Sequence, residues 1–354
     1  MTSAGAADSS GVVRTVRGDV PAAEIGRIAF HEHLLFDLVL PEGRDQVDDP
    51  PITPQNRWQI DYRSNENRNN ARQRDPEVTA DELAAFAEDG GSLIVDQSTH
   101  GLARDAAGLQ AASIKADVHV VAAAGTYVAD YLDAATRELD VAALTARFVD
   151  EVETGLDGSD VRAGLIGEIG TSWPIAPVEE RALVAAARAS RATGAAISVH
   201  PGRHADAPFA IVEILRKAGA ALDRVVICHM DRTYPDGARV RELLATGVTV
   251  EWDFFGVETS HYWFGEIELP TDLQRLKLIK ALFDEGYGDR IVVSHDICTC
   301  TRMTRWGGHG YGHLLRNGPA LMQRAGLSDD QITRLLRLNP LRLLTLAAPI
   351  FNQD

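Results

Sequence analysis

The 354-residue chain is 45% hydrophobic and carries 35 Lys and Arg against 51 Asp and Glu, a formal charge of -16. That balance excludes nucleic acid and anionic membrane surfaces as partners, because phosphate contacts need a basic face, and no uninterrupted apolar run is long enough to span a bilayer. Three cysteines, Cys228, Cys298 and Cys300, are too few for a disulfide framework and read as reduced thiols of a cytoplasmic protein. Met1 to Ser10 is small and polar, with neither the cationic start nor the apolar core of a signal peptide. Residues 1–20 are therefore expected to form a tail ahead of one domain spanning 21–354.

Eight short apolar runs follow, at 28–33, 92–97, 118–124, 163–168, 196–200, 224–229, 248–253 and 290–296. They are nearly continuous in Val, Ile, Leu and Ala rather than alternating, as expected of parallel strands covered on both faces. Helical patterns lie between them. Thr79-Ala80-Asp81-Glu82 opens one with an acidic first turn, others occupy 178–193, 208–218, 237–245 and 271–285, and Gly90, Gly194, Gly219 and Gly247 close several. Eightfold strand–helix alternation predicts an α/β protein, a (β/α)8 TIM barrel. Between the first two strands, a polar insertion at 34–78 without sustained periodicity reads as a lid on the catalytic side.

Several runs end in polar side chains: His31 and His33, Glu168, His200, His229, and Asp296. A buried unpaired polar group is costly, and a cation site at the C-terminal mouth of the barrel would satisfy all six. Residues two apart in a strand share a face, so His31 and His33 point together. Imidazole with carboxylate suits Zn, Mn, Fe or Co better than Ca. Six donors exceed the needs of one tetrahedral zinc. They divide into His31, His33 and Asp296 for one ion and His200 and His229 for a second, with Glu168 and a water or hydroxide between. Such ions bring the pKa of bound water to about 7.

The blocks His31-Glu32-His33-Leu34, Gly167-Glu168-Ile169-Gly170, His200-Pro201-Gly202-Arg203, His229-Met230-Asp231-Arg232, Ser294-His295-Asp296 and Gly307-Gly308-His309-Gly310-Tyr311-Gly312-His313 resemble the phosphotriesterase family of the amidohydrolase superfamily, over nearly all of the chain from about Val12. The resemblance implies a binuclear centre of two divalent transition-metal ions, zinc first, in which Asp296 is both ligand and proton acceptor from the attacking hydroxide. It also implies a homodimer. Many members bridge their ions with a carboxylated lysine, whereas this chain is similar to the phosphotriesterase-related branch, which carries glutamate there. Its four lysines, Lys115, Lys217, Lys277 and Lys280, fall in helical or connecting segments. The shorter arm of Glu168 argues against efficient phosphotriester hydrolysis.

Around this centre, Tyr127 resembles a tyrosine that lactonases place over the metals, where its phenol can stabilise a developing oxyanion. Asp231 is expected to orient a ligand histidine or to relay protons from Asp296. Arg232, Arg203, Arg302 and Arg305 are expected to receive an anionic part of the substrate. Glu251 and Asp253 either line the cavity or form an ion pair. Tyr262, Trp263 and Phe264 suggest an apolar wall. His309 and His313 read as loop-shaping, His295 as pointing away, His100 and His119 as ordinary hydrogen-bonded residues, and His204 and His261 as exposed. The expected reaction on a small-molecule substrate is hydrolysis of a carboxylic ester, a lactone first. Cleavage of an amide or a phosphoester at the same centre, and a barrel that binds without turnover, are the alternatives.

Overall fold

The computed structural model describes residues 11–45, 49–63, 66–259, 261–262 and 264–349. Eight parallel strands form one sheet in sequential order: β1 (Arg27–Glu32), β2 (Gly91–Asp96), β3 (His119–Ala124), β4 (Leu165–Gly170), β5 (Ile197–His200), β6 (Val225–Ile227), β7 (Thr249–Trp252) and β8 (Ile291–Val293). The seam between β8 and β1 is joined beyond the ladder, where the Asp296 N–H donates to the His31 carbonyl (3.0 Å) and the His31 N–H to Ser294 Oγ (2.9 Å). This is the expected (β/α)8 barrel.

Side-chain alternation sorts the strands into two apolar layers. Ala29, Ile94, Val120, Ile166, Ile197 and Val250 face the surrounding helices. Ile28, Phe30, Leu93, Val95, Val121, Leu165, Val226 and Val292 fill the cylinder, joined from below by Val13, Leu341, Leu343 and Leu344. The helix after β1 begins at Pro76 rather than at Thr79. Proline suits the first helical position because the N–H it lacks would be unpaired there, and the Asp75 side chain caps the Glu77 N–H. Thr79 lies one turn in, its hydroxyl donating to the Leu34 carbonyl (3.0 Å).

The expected tail is a hairpin from Val12 onward. Val12–Thr15 pairs antiparallel with Gly18–Pro21, Thr15 Oγ1 donates to the Gly18 carbonyl (2.8 Å), and the Val16 N–H donates to Val120 at the start of β3 (2.8 Å). A turn glycine with φ +112° lets these short strands fold back. Met1 to Ser10 lies outside the described residues. The insertion after β1 is also built: Phe36–Asp37 pairs with Arg72–Gln73, a short helix spans Arg57–Tyr62, and fully buried Asp37 gathers Arg44, Arg72 and Arg74.

Candidate metal centre

Two strands deliver their polar residues through bulges. Between β1 and β2 the register runs from Ala29↔Ile94 to Glu32↔Asp96, so β1 carries one extra residue. Between β4 and β5 it runs from Ile166↔Ile197 to Ile169↔Val199, again one extra residue on the β4 side. An extra residue kinks a strand and re-aims its side chains. Phe30 can thus fill the cylinder while the next residue, His31, joins the mouth cluster. In β4 the bulge holds Gly167, whose φ is +115° and whose Cα lies so close to the Ser198 carbonyl that a Cβ would sit 2.0 Å from the oxygen. Only glycine fits, and Glu168 follows it into the mouth.

The other donors sit at strand exits. His200 is the last residue of β5. His229 and Asp296 lie beyond the ladders of β6 and β8, with left-handed φ values of 60° and 47°, rather than ending the strands. Such backbone in a non-glycine residue costs about 1–3 kcal/mol and turns both side chains toward the axis.

The six predicted donors converge. Glu168 Oε2 lies 3.2 Å from His200 Nδ1, 3.3 Å from His229 Nε2 and 3.4 Å from His31 Nε2. Its Oε1 lies 3.6 Å from His33 Nε2, which is 3.3 Å from Asp296 Oδ1. All six are buried. Around a tetrahedral zinc with bonds near 2.0–2.1 Å, neighbouring donor atoms are about 3.4 Å apart, which is the spacing seen here. His31 Nε2 is buried with no hydrogen-bond partner, a state a cation would relieve. His31, His33 and Asp296 form one compact triad, and His31, Glu168 and His229 another. The donor set fits two cations sharing Glu168.

The opposite ring nitrogens are fixed from behind. His31 Nδ1 donates to Glu251 Oε2 (3.1 Å), His229 Nδ1 to Asp253 Oδ1 (2.9 Å) and His33 Nδ1 to Ser98 Oγ (3.0 Å). These contacts set the tautomers and leave each Nε2 lone pair facing inward. Glu251 and Asp253 thus sit behind the histidines and pair with them rather than lining the cavity. Sequence reasoning missed this assignment, although the i, i+2 spacing of two acids on β7 and beside its end was a signal for it. Burial is the strongest influence on His229 and opposes its charge, yet Asp253 brings its pKa up to about 9. His200, also beside His229 and Arg232, is pushed down to about 3, by burial first.

Asp231 is fully buried. Its Oδ2 accepts the N–H groups of Asp253 (2.8 Å) and Phe254 (3.3 Å), and its Oδ1 pairs with buried Arg275. It therefore locks the turn that carries Asp253. Tyr127 Oη lies 3.5 Å from His200 Nδ1. Arg232, buried beside His200, has Nη2 3.3 Å from His200 Nε2 and donates to the Pro201 carbonyl (2.8 Å). Arg203 Nε donates to Tyr262 Oη (2.9 Å), and Arg302 Nη1 to the Asp296 carbonyl (3.2 Å). Arg305 departs from this group. Glu82 pins its backbone N–H to the first outer helix (2.7 Å), and its exposed guanidinium lies over Trp306.

His295 bonds Glu32 (2.6 Å), and His313 bonds Asp272 (2.7 Å). His309 lines a cleft of about 260 Å³ together with Trp58, Tyr62, Tyr262, Phe264 and Arg302. There the Tyr62 ring stacks on His261 at 4.6 Å, so the insertion after β1 meets the loop after β7. Trp263 lies outside the described residues.

A family model described as the phosphotriesterase family matches residues 11–344. This chain belongs to the phosphotriesterase family. The N-acetyltaurine hydrolase of Xenopus tropicalis is 37% identical over 343 residues, covering 95% of this chain and 98% of that protein. Among solved structures, a resiniferatoxin-binding protein from Rhodobacter sphaeroides is 32% identical with a TM-score of 0.88, over 95% of both chains. A mutant of a phosphotriesterase-like lactonase from Deinococcus radiodurans is 26% identical with a TM-score of 0.74, over 94% of this chain and 99% of that one. Members of the phosphotriesterase family are metal-dependent hydrolases, and this chain is one. No helix among its described residues is long and apolar enough to cross a membrane.

Proposed function

We propose that this member of the phosphotriesterase family hydrolyses the amide bond of an N-acyl amino compound. The observation that carries this reading is the 37% identity to an N-acetyltaurine hydrolase along almost the whole of both chains, against 26% to the lactonase. Lactone hydrolysis, the first expectation from the sequence, is the second reading, favoured by the placement of Tyr127 beside His200.

In the proposed site His31, His33 and Asp296 would hold one divalent ion and His200 and His229 the other, with Glu168 shared, and zinc is the first choice of metal. Bound there, the ions supply Lewis acidity and a water ionisable near neutral pH. Asp296 supplies the proton acceptor. Its Oδ1 lies 3.3 Å from His33 Nε2 and 3.8 Å from His31 Nε2. A carboxylate kept ionised can take a proton from water and deliver it to the departing nitrogen as the C–O bond forms and the C–N bond breaks. Burial, with Glu168 nearby, raises the Tyr127 phenol well above its ordinary pKa, so it serves only as a hydrogen-bond donor to the carbonyl oxygen. Asp231 acts through Asp253, which orients His229.

A substrate panel tests the reading. Metal-loaded protein is expected to cleave N-acetyltaurine or other N-acyl amino acids with a higher kcat/KM than lactones or aryl phosphotriesters. Turnover confined to lactones would overturn it.

A further inference from the structure

Three arginines, buried Arg232, half-buried Arg302 and exposed Arg203, reach this mouth without a carboxylate partner among the described residues, whereas buried Arg14 and Arg275 each have one. Arg232 is only 6% exposed, and its Nη1 is buried with no hydrogen-bond partner. Arg203 approaches it from the loop after β5, held through Nε by Tyr262. Arg302, on the loop after β8, is tied to the Asp296 backbone. Burying a guanidinium with an unused donor is costly unless something occupies that donor. Two like charges brought together in a half-enclosed site raise the cost.

Resting on the amide reading above, we infer that Arg232 and Arg203 form a receptor for an anionic group, a sulfonate or carboxylate, on the amine portion of the substrate, with Arg302 flanking it. Planar guanidinium forks match such oxyanions. A sulfonate offers three oxygens, so two forks can bind it at once by sharing one. The geometry also sets the spacer. Arg232 Nη2 touches the far nitrogen of His200, whose near nitrogen faces Glu168, so the receptor lies one imidazole ring away from the metal cluster. A chain of two or three atoms between the scissile nitrogen and the anion fits that distance, and a neutral amide leaves the pair unpaid. A site built around charged donors discriminates strongly against analogues that lack the matching group.

The test compares N-acetyltaurine, its uncharged analogue N-propylacetamide, and N-ethylsuccinamate, which carries its anion on the acyl side. Each is assayed with metal-loaded wild type, Arg203→Gln and Arg232→Gln. Expected results are a strong wild-type preference for N-acetyltaurine and a loss of about 10- to 100-fold in its kcat/KM for each substitution, mostly in KM. That the variants fold and load metal is read from far-ultraviolet circular dichroism and metal content, both expected to match wild type. Calorimetric binding of ethanesulfonate to the metal-loaded protein gives a readout independent of turnover and is expected to weaken in both variants. Equal use of N-acetyltaurine and N-propylacetamide would overturn the receptor while leaving the amide reading intact. Preference for N-ethylsuccinamate would overturn its amine-side placement. Should the protein cleave no amide, undiminished ethanesulfonate binding in the variants would still overturn the receptor, and weakened binding would support it.

Discussion

The floor and the mouth of this barrel are built from opposite materials. At the floor, Ile28, Phe30, Leu93, Val121, Leu165 and Val292 meet Val13, Leu341 and Leu343 in a layer without a charge. A few residues further along the same strands, His31, Glu168, His229, Glu251, Asp253 and Asp296 are equally buried. The first region returns free energy for every methyl group removed from water. The second buries ionisable groups at a cost that its internal hydrogen bonds only partly offset. Stability and chemistry are therefore separated along the barrel axis, and perturbations at the two ends should behave differently.

The largest expected effect is metal removal. Chelation should abolish hydrolysis while far-ultraviolet circular dichroism stays unchanged, because the floor and the helix layer need no ion. Loss of structure together with activity would break the contrast. Asp296→Asn comes next, with kcat expected to fall by about 10²–10⁴-fold in protein that still unfolds cooperatively. Asp253→Ala removes the acceptor for His229 Nδ1. Metal affinity, read by competition with a chromophoric chelator, should drop about 10- to 100-fold. Leu343→Ala sharpens the comparison from the other side. A cost of about 2–5 kcal/mol in chemical denaturation is expected, with kcat/KM of the folded fraction unaltered.

Legibility followed the same division. Eight continuous apolar runs announced the barrel, because parallel strands covered on both faces cannot alternate. All six converging side chains were legible as polar residues that an apolar run would not otherwise carry. Local backbone devices were harder to read. The bulges at Ala29–Glu32 and Ile166–Ile169 arise from strand pairing, which no single run of residues reveals, although Gly167 inside an apolar strand was a signal. The hairpin at Val12–Pro21 reads as a tail in the sequence, because two four-residue strands show too little periodicity to stand out. By composition Arg305 stands with Arg203, Arg232 and Arg302, but its backbone contact with Glu82 and its ring contact with Trp306 set it apart. The partnership of Asp231 with Arg275, 44 positions apart, required coordinates.

Diffraction from metal-loaded crystals, collected across the absorption edge of the bound element, shows whether these six side chains hold two ions. Two anomalous peaks are expected, one within bonding distance of His31, His33 and Asp296, the other of His200 and His229, with Glu168 reaching both. Peaks elsewhere in the molecule, or full hydrolytic activity in crystals that show no ion among these six residues, would contradict that assignment.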